Sequence, residues 1–232
     1  MSDAIDAAAH VTSGSRPDSP RAEAATYFDA RARKYDAEYD KATGYALRSR
    51  MEAVLEFLGD GPGDALDAGM GAGRVVSALV GSGWAVSGVD ASEEMVVSAR
   101  RQLQGRAVRL ERAKIERLPF LDESFDAVIA TGVLEYADLD DALRELTRVL
   151  RTGGLAVVSY PNPGNFYWAW RTHVWYRAVG AAKRVLRQRP LAFPPPSPKL
   201  GADAFRRLLQ STGLEPERTR HTSFLVVPSP FD

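Results

Sequence analysis

The run Ala65-Leu66-Asp67-Ala68-Gly69-Met70-Gly71-Ala72-Gly73 decides how this chain is read. Residues 65 to 68 make a short strand of the kind that sits inside a sheet. The strand opens directly into three glycines spaced by two. Glycine tolerates positive φ and lets a ligand come close to the backbone. Arg74 to Val80 follows with helical character, so its free N–H groups point over the turn. A second apolar run, Ala85 to Val89, ends in Asp90, 17 residues after Gly73. An acid at that place can hold the two hydroxyls of a ribose.

The turn reads G-x-G-x-G, whereas the dinucleotide fingerprint needs G-x-G-x-x-G. Asp67 precedes the first glycine by two residues. A pyrophosphate wants amides, not an acid, at the mouth of the turn, so a ligand with a positive group is the better fit. This D-x-G-x-G-x-G arrangement, with an acid closing the next strand, resembles class I S-adenosylmethionine-dependent methyltransferases, in their small-molecule branch. The resemblance runs from about Tyr27 to Ser159. It takes in Leu118-Pro119-Phe120, then Asp122-Glu123-Ser124-Phe125-Asp126 before Ala127 to Ala130, then Gly132-Val133-Leu134-Glu135-Tyr136 and Arg151-Thr152-Gly153-Gly154. It implies S-adenosylmethionine as cofactor. Asp67, Gly69, Gly71 and Gly73 would line its methionine end, and Asp90 would hold its ribose. Ala91, Met95, Lys114, Ile115 and Thr131 would complete the set, with Met95 and Ile115 flanking the adenine.

The chain has 232 residues, enough for one domain with a sizeable core. Hydrophobic content of 45% and charged content of 26% describe an ordinary soluble protein. No run of 18 or more apolar residues is present, and the reading is a cytoplasmic protein. With no cysteine, disulfides, thiolate metal sites and a cysteine nucleophile are excluded. Net charge is zero, yet residues 1–145 carry −9 and residues 146–232 carry +9. Between Glu145 and Asp203 there is no acid. Such a stretch is a solvated face, an attractor of anionic substrate, or a membrane-surface contact.

Residues 1–22, rich in Ala, Ser, Asp and Pro, read as a disordered leader to a single domain over 23–232. Residues 23–58 read as N-terminal cap helices, with Tyr27, Phe28, Ala32, Tyr35 and Tyr39 near helical spacing. Strands are expected at 65–68, 85–89, 107–111, 125–130 and 155–160. Helices are expected at 73–81, 92–103 and 139–150. Alternating strands and helices give an α/β, Rossmann-like, doubly wound and mostly parallel sheet with helices on both faces. Ligands bind beyond the carboxyl ends of such strands, where Asp67, Asp90, Lys114, Thr131 and Tyr160 should meet. Residues 161–200 form an insertion placed to cover a substrate, with an amphipathic, basic helix over 166–188 that also fits a peripheral membrane contact. A helix at 202–211, a strand near 215–222 and a minimal or missing seventh strand close the chain.

Methyl transfer from a sulfonium needs alignment and, for some acceptors, a base. The expectation is methylation of a small molecule, at oxygen. The alternatives are a cyclase or isomerase that keeps the fold without methylating, and a methyltransferase of a lipid or prenylated acceptor at a membrane surface. A nucleic-acid partner is not expected, since the turn after the fourth strand lacks Asn/Asp-Pro-Pro-Tyr and the net charge is zero. The family branch that methylates polyprenyl phenols has Leu-Glu-His there, and this chain has Tyr136 at the histidine position. The catalytic candidates are therefore Tyr136, His173 on the insertion helix, and His221. No cluster has metal-ligand spacing. Lys114 stands where the family has an acid for the adenine amine, which leaves Glu116, a carbonyl or water for that contact.

Overall fold

The computed structural model describes residues 24–30, 32, 45–161, 177 and 200–220. Five strands form one parallel sheet: β1 (Asp64–Ala68), β2 (Ala85–Asp90), β3 (Arg109–Arg112), β4 (Phe125–Ala130) and β5 (Leu150–Val158), in the order β3-β2-β1-β4-β5. The helices are α1 (residues 24–30), α2 (Tyr45–Leu58), α3 (Arg74–Gly81), α4 (Glu93–Gln102), α5 (Leu139–Val149) and α6 (Ala202–Ser211). A 3-10 turn, Leu134–Tyr136, lies between β4 and α5. The strand order reverses between β1 and β4, which makes their carboxyl ends the switch point where open α/β sheets bind ligands.

Side-chain alternation along the strands sorts the core into two layers. Leu66, Ala68, Val128 and Ala130 pack with Leu143 and Leu146 of α5 and Leu209 of α6. Ala65, Ala127, Ile129 and Val86 pack with Val54 of α2, Val76 and Leu79 of α3, and Val96 and Ala99 of α4. Leu143 and Leu146 are fully buried, and burying each such side chain contributes roughly 1.5–3 kcal/mol. Ser92 caps α4 by accepting from the Met95 N–H at 3.1 Å, and Asp138 caps α5 by accepting from the Asp141 N–H at 3.4 Å. Glu93 and Glu94 in the first turn of α4, and Arg100 and Arg101 in its last, complement its dipole.

Half-buried Arg148 fixes the loop that leads into β4. It pairs with Glu145 and Asp122, each at 2.7 Å, and donates to the carbonyls of Phe120 and Leu118 at 2.9 and 3.2 Å. The Arg148 contact holds the Glu145 carboxyl below the usual range.

The expected α/β sheet is present. The boundaries differ where tertiary contacts recruit residues that look like loop. β5 begins at Leu150, because Arg151 reaches across to Asp64 at 3.1 Å and Asp126 at 2.7 Å and draws 151–154 onto the sheet. A register shift between Phe125 and Ala127 absorbs the extra residues. The strand expected near 215–222 is absent over its described part, 215–220. Arg218 instead donates to the Phe57 carbonyl at 3.2 Å and Arg220 pairs with Glu56, so this segment lies on α2. The insertion at 161–200 and the chain end at 221–232 lie almost wholly outside the described residues.

Candidate cofactor and acceptor site

The glycine turn is pinned to the end of β2. The N–H groups of Gly69 and Met70 both donate to the Val89 carbonyl, at 2.8 and 2.9 Å. This folds the chain back over the carboxyl end of the sheet and requires a φ of +88° at Gly69 and +83° at Gly73. A Cβ on Gly69 would meet the Val133 side chain at 2.6 Å, and one on Gly73 would meet Leu103 at 2.9 Å. The two arms of the switch point therefore touch at Gly69 and Val133.

Asp90, at the tip of β2, is half-buried and acts as the hub of the turn. One carboxylate oxygen accepts from the Gly71 N–H at 2.9 Å and the other from the Ser92 N–H at 2.9 Å. Burial pushes its carboxyl up, and the two N–H donors oppose that. Ser92 donates through its hydroxyl to Asp29 of α1. On the same helix, Phe28 packs edge-on against Tyr136, with ring centroids 5.3 Å apart. α1 thus bridges the ends of β2 and β4.

Asp67 is the buried acid of the site, 2% exposed, and its Oδ2 has no hydrogen-bond partner. Burial, with a smaller push from the charge of Asp90, raises its pKa to about 7. A carboxylate left in that state fits a ligand that brings positive charge.

The turn after β4 carries a second buried carboxylate. The Gly132 N–H donates to the Ser159 hydroxyl oxygen at 2.9 Å. The Arg50 guanidinium of α2 lies where a Gly132 Cβ would be, 2.5 Å from it, and Gly132 has a φ of +71°. Glu135 faces Arg50, and its Oε2 is closed off from solvent with no partner. Burial raises its carboxyl, and Arg50 opposes that rise.

The structure brings Asp67, Gly69, Gly71, Gly73, Asp90, Ala91 and Thr131 to the carboxyl ends of β1, β2 and β4. Met95 and Ile115 are buried, at 2% and 5% exposure, in the packing that supports this edge. The Ala91 carbonyl accepts from Arg112 at 3.1 Å. Lys114 is exposed and pairs with Arg117 in an isolated bridge. Glu116 gives one of its carboxylate oxygens, Oε1, to the Asp138 N–H at 3.0 Å. Tyr160 lies just beyond the carboxyl end of β5, which closes at Val158. It stacks on Phe205 of α6, with centroids 4.6 Å apart at 15°, because that face of β5 meets the apolar side of α6. His173 and His221 lie outside the described residues, and no metal-binding group is found among the described residues.

Sequence reasoning passed over Arg50, which comes from a distant segment and carries no motif, and the contact between Ser92 and Asp29, which joins two separate segments. Glu135 sits inside the quoted Gly132–Tyr136 run, and only its burial singles it out.

S-adenosylmethionine carries a sulfonium and an ammonium beside a ribose. An orphaned buried carboxylate oxygen, a second acid in the next strand's tip and a turn too tight for side chains are a donor set that fits it. Among the described residues no helix is long and apolar enough to cross a membrane.

Comparison with known proteins agrees with this geometry. Residues 66–158 match a family described as "Methyltransferase domain". The chain is 31% identical over 224 residues to the ubiquinone/menaquinone biosynthesis C-methyltransferase UbiE of Ectopseudomonas mendocina, covering 90% of this chain and 82% of that protein. It is 38% identical over 156 residues to the demethylmenaquinone methyltransferase of Thermus thermophilus, covering 65% of this chain and 66% of that one. A Thermotoga maritima S-adenosylmethionine-dependent methyltransferase shares the fold, with a TM-score of 0.62 at 23% identity over 81% of this chain and 80% of its own. The chain belongs to the class I S-adenosylmethionine-dependent methyltransferase family.

Proposed function

We propose that this protein transfers a methyl group to a ring carbon of a small hydroxylated aromatic or quinol-type acceptor. The observation that carries the reading is the 31% identity to a C-methyltransferase over 82% of that protein's length. The sequence taken alone points to oxygen as the acceptor atom. The naming of that relative as a C-methyltransferase moves the reading to carbon.

Bound S-adenosylmethionine supplies a methyl group on a positively charged sulfur. The chain's residues do the rest. Asp67 and the Gly69–Gly73 turn hold the methionine end, where the acid's charge becomes favourable only when a cation arrives. Asp90 holds the ribose. α1, tied at Ser92 and Tyr136, covers the cleft and keeps water from the reacting centre.

The test supplies S-adenosylmethionine carrying a carbon-13 methyl, with 1,4-naphthohydroquinone as acceptor. NMR of the product is expected to show a methyl on ring carbon. A methoxy signal would return the reading to oxygen. Cofactor binding without any methylated product would sink the acceptor class.

A further inference from the structure

Glu135 holds a carboxylate oxygen that the fold leaves unused. It lies on the 3-10 turn that follows β4, at the switch point of the sheet. Its neighbours anchor it on both sides. Leu134 is fully buried in the layer under α5, and Val133 packs against the place where Gly69 lacks a side chain. The turn is therefore held against the glycine loop that serves the cofactor.

Two features mark Glu135 as more than a structural acid. Its Oε2 is closed off from solvent and has no donor. Arg50 faces it from α2 and acts on it through charge rather than through a hydrogen bond to that oxygen. A buried carboxylate oxygen is costly unless it is hydrogen-bonded. The absence of a side chain at Gly132 is what lets Arg50 sit there, since a Cβ would collide with its Nη1.

We propose that Glu135 and Arg50 form the acceptor subsite, with Glu135 taking the hydroxyl proton of a phenol- or enol-type acceptor and Arg50 facing the oxyanion so formed. This rests on the methyl-transfer reading above and names the residues that would activate its acceptor. The step is a proton transfer. The acceptor O–H bond breaks, the proton moves to Oε2, and the electron pair stays on oxygen and raises the nucleophilicity of the adjacent ring carbon. Methylation of that carbon leaves a dienone; its ring C–H bond then breaks and its oxygen takes back a proton, which restores the aromatic hydroxyl, so that one proton in all passes to solvent. Burial raises the Glu135 carboxyl and so favours its taking up a proton, while Arg50 and the residue's own backbone N–H oppose that rise. The position of Tyr136, where a histidine base is missing, is then without catalytic consequence, because the preceding residue supplies the base.

The test uses the whole chain with S-adenosylhomocysteine and 1-naphthol, whose absorption spectrum distinguishes the neutral from the ionised form. The wild-type protein is expected to bind naphthol and to raise its ionised fraction. Glu135→Gln should lose that ionised signature and at least tenfold in naphthol affinity, with S-adenosylhomocysteine affinity within twofold and no loss of thermal stability. Arg50→Met should also lose the ionised signature. If Glu135→Gln fails to fold, Glu135→Asp, which keeps the charge but draws it back, should give an intermediate loss. Unchanged naphthol binding and ionisation in these variants would overturn the proposal. So would a wild-type protein that binds S-adenosylhomocysteine but not naphthol. Either result leaves the methyl-transfer reading to the labelled-methyl assay.

Discussion

Two carboxylates at the carboxyl edge of this sheet each hold an oxygen without a partner, and their neighbours are opposite in sign. Asp67, at the end of β1, has another acid beside it, Asp90. Glu135, after β4, has Arg50. Burial raises both pKa values. The neighbour then decides what each site wants. Two acids together favour a cation, whereas an acid facing a base favours a polar group able to donate to one and accept from the other. The halves differ in construction too. In the β1–β2 half backbone N–H groups donate to the Val89 carbonyl and to the Asp90 carboxylate, while the β4 half takes the Phe28 ring from α1 and the charge of Arg50 from α2.

The largest expected effect is at Asp67. Its pKa rises from 3.8 to about 7 on folding, so the native state holds the proton more tightly than the unfolded chain. Stability therefore falls as pH rises from about 4 to 7, and the full penalty above that window is on the order of 4 kcal/mol. Asp67→Asn removes that penalty but leaves an unpaired N–H costing roughly 1–3 kcal/mol. The cofactor-free variant should thus be more stable than wild type at pH 8 and lose that advantage near pH 4. Denaturant titrations at the two pH values check this, and a flat difference would break the contrast with Glu135. The same variant should bind S-adenosylmethionine more weakly at pH 8.

Asp90→Ala comes next. It removes the ribose contact and strands the Gly71 and Ser92 N–H groups that Asp90 now accepts from. Cofactor affinity should fall by about 1.5–3 kcal/mol, the range for hydrogen bonds to a charged group. Calorimetry that finds wild-type affinity would refute the ribose assignment.

Gly69→Ala tests the joint between the halves. The left-handed backbone costs about 1–2 kcal/mol for a residue with a Cβ, and the contact with Val133 adds to that. Val133→Gly made in addition removes the Cβ that would lie 2.6 Å from the new one, and should recover the steric part and leave the backbone part. A cycle with zero coupling would mean that the arms do not press on each other.

The smallest effect belongs to Lys114. Replacing this exposed lysine with aspartate supplies an acceptor near the adenine edge and should tighten cofactor binding by about 1 kcal/mol at most. Weaker binding would give Lys114 a contact of its own, outside the adenine.

The glycine turn and Asp90 were legible in the sequence because each is local. Spacing in the chain is spacing in the turn, and the end of a strand is visible as the end of an apolar run. The start of β5 was not, since Arg151-Thr152-Gly153-Gly154 has the composition of a loop and becomes strand only when Arg151 finds Asp64 and Asp126. The acceptor atom was not legible for a related reason. Oxygen and carbon acceptors call for the same fold and cofactor, and the chain carries no residue type that separates them.

What the sequence determined by itself is the α/β sheet, the cofactor edge and the family to which the chain belongs, because hydrophobic period, glycine spacing and strand-end acids act over a few residues. Tertiary structure decided which acids are starved of partners. Nothing in the chain shows that Asp67 and Glu135 differ in this respect from Glu116 and Glu145. The latter two meet the N–H groups of Asp138 and Leu118, while each of the former buries an oxygen with none. That difference depends on what a fold brings within 3 Å from 20 or more residues away, and a hydrogen bond is too short-ranged to be read from spacing alone.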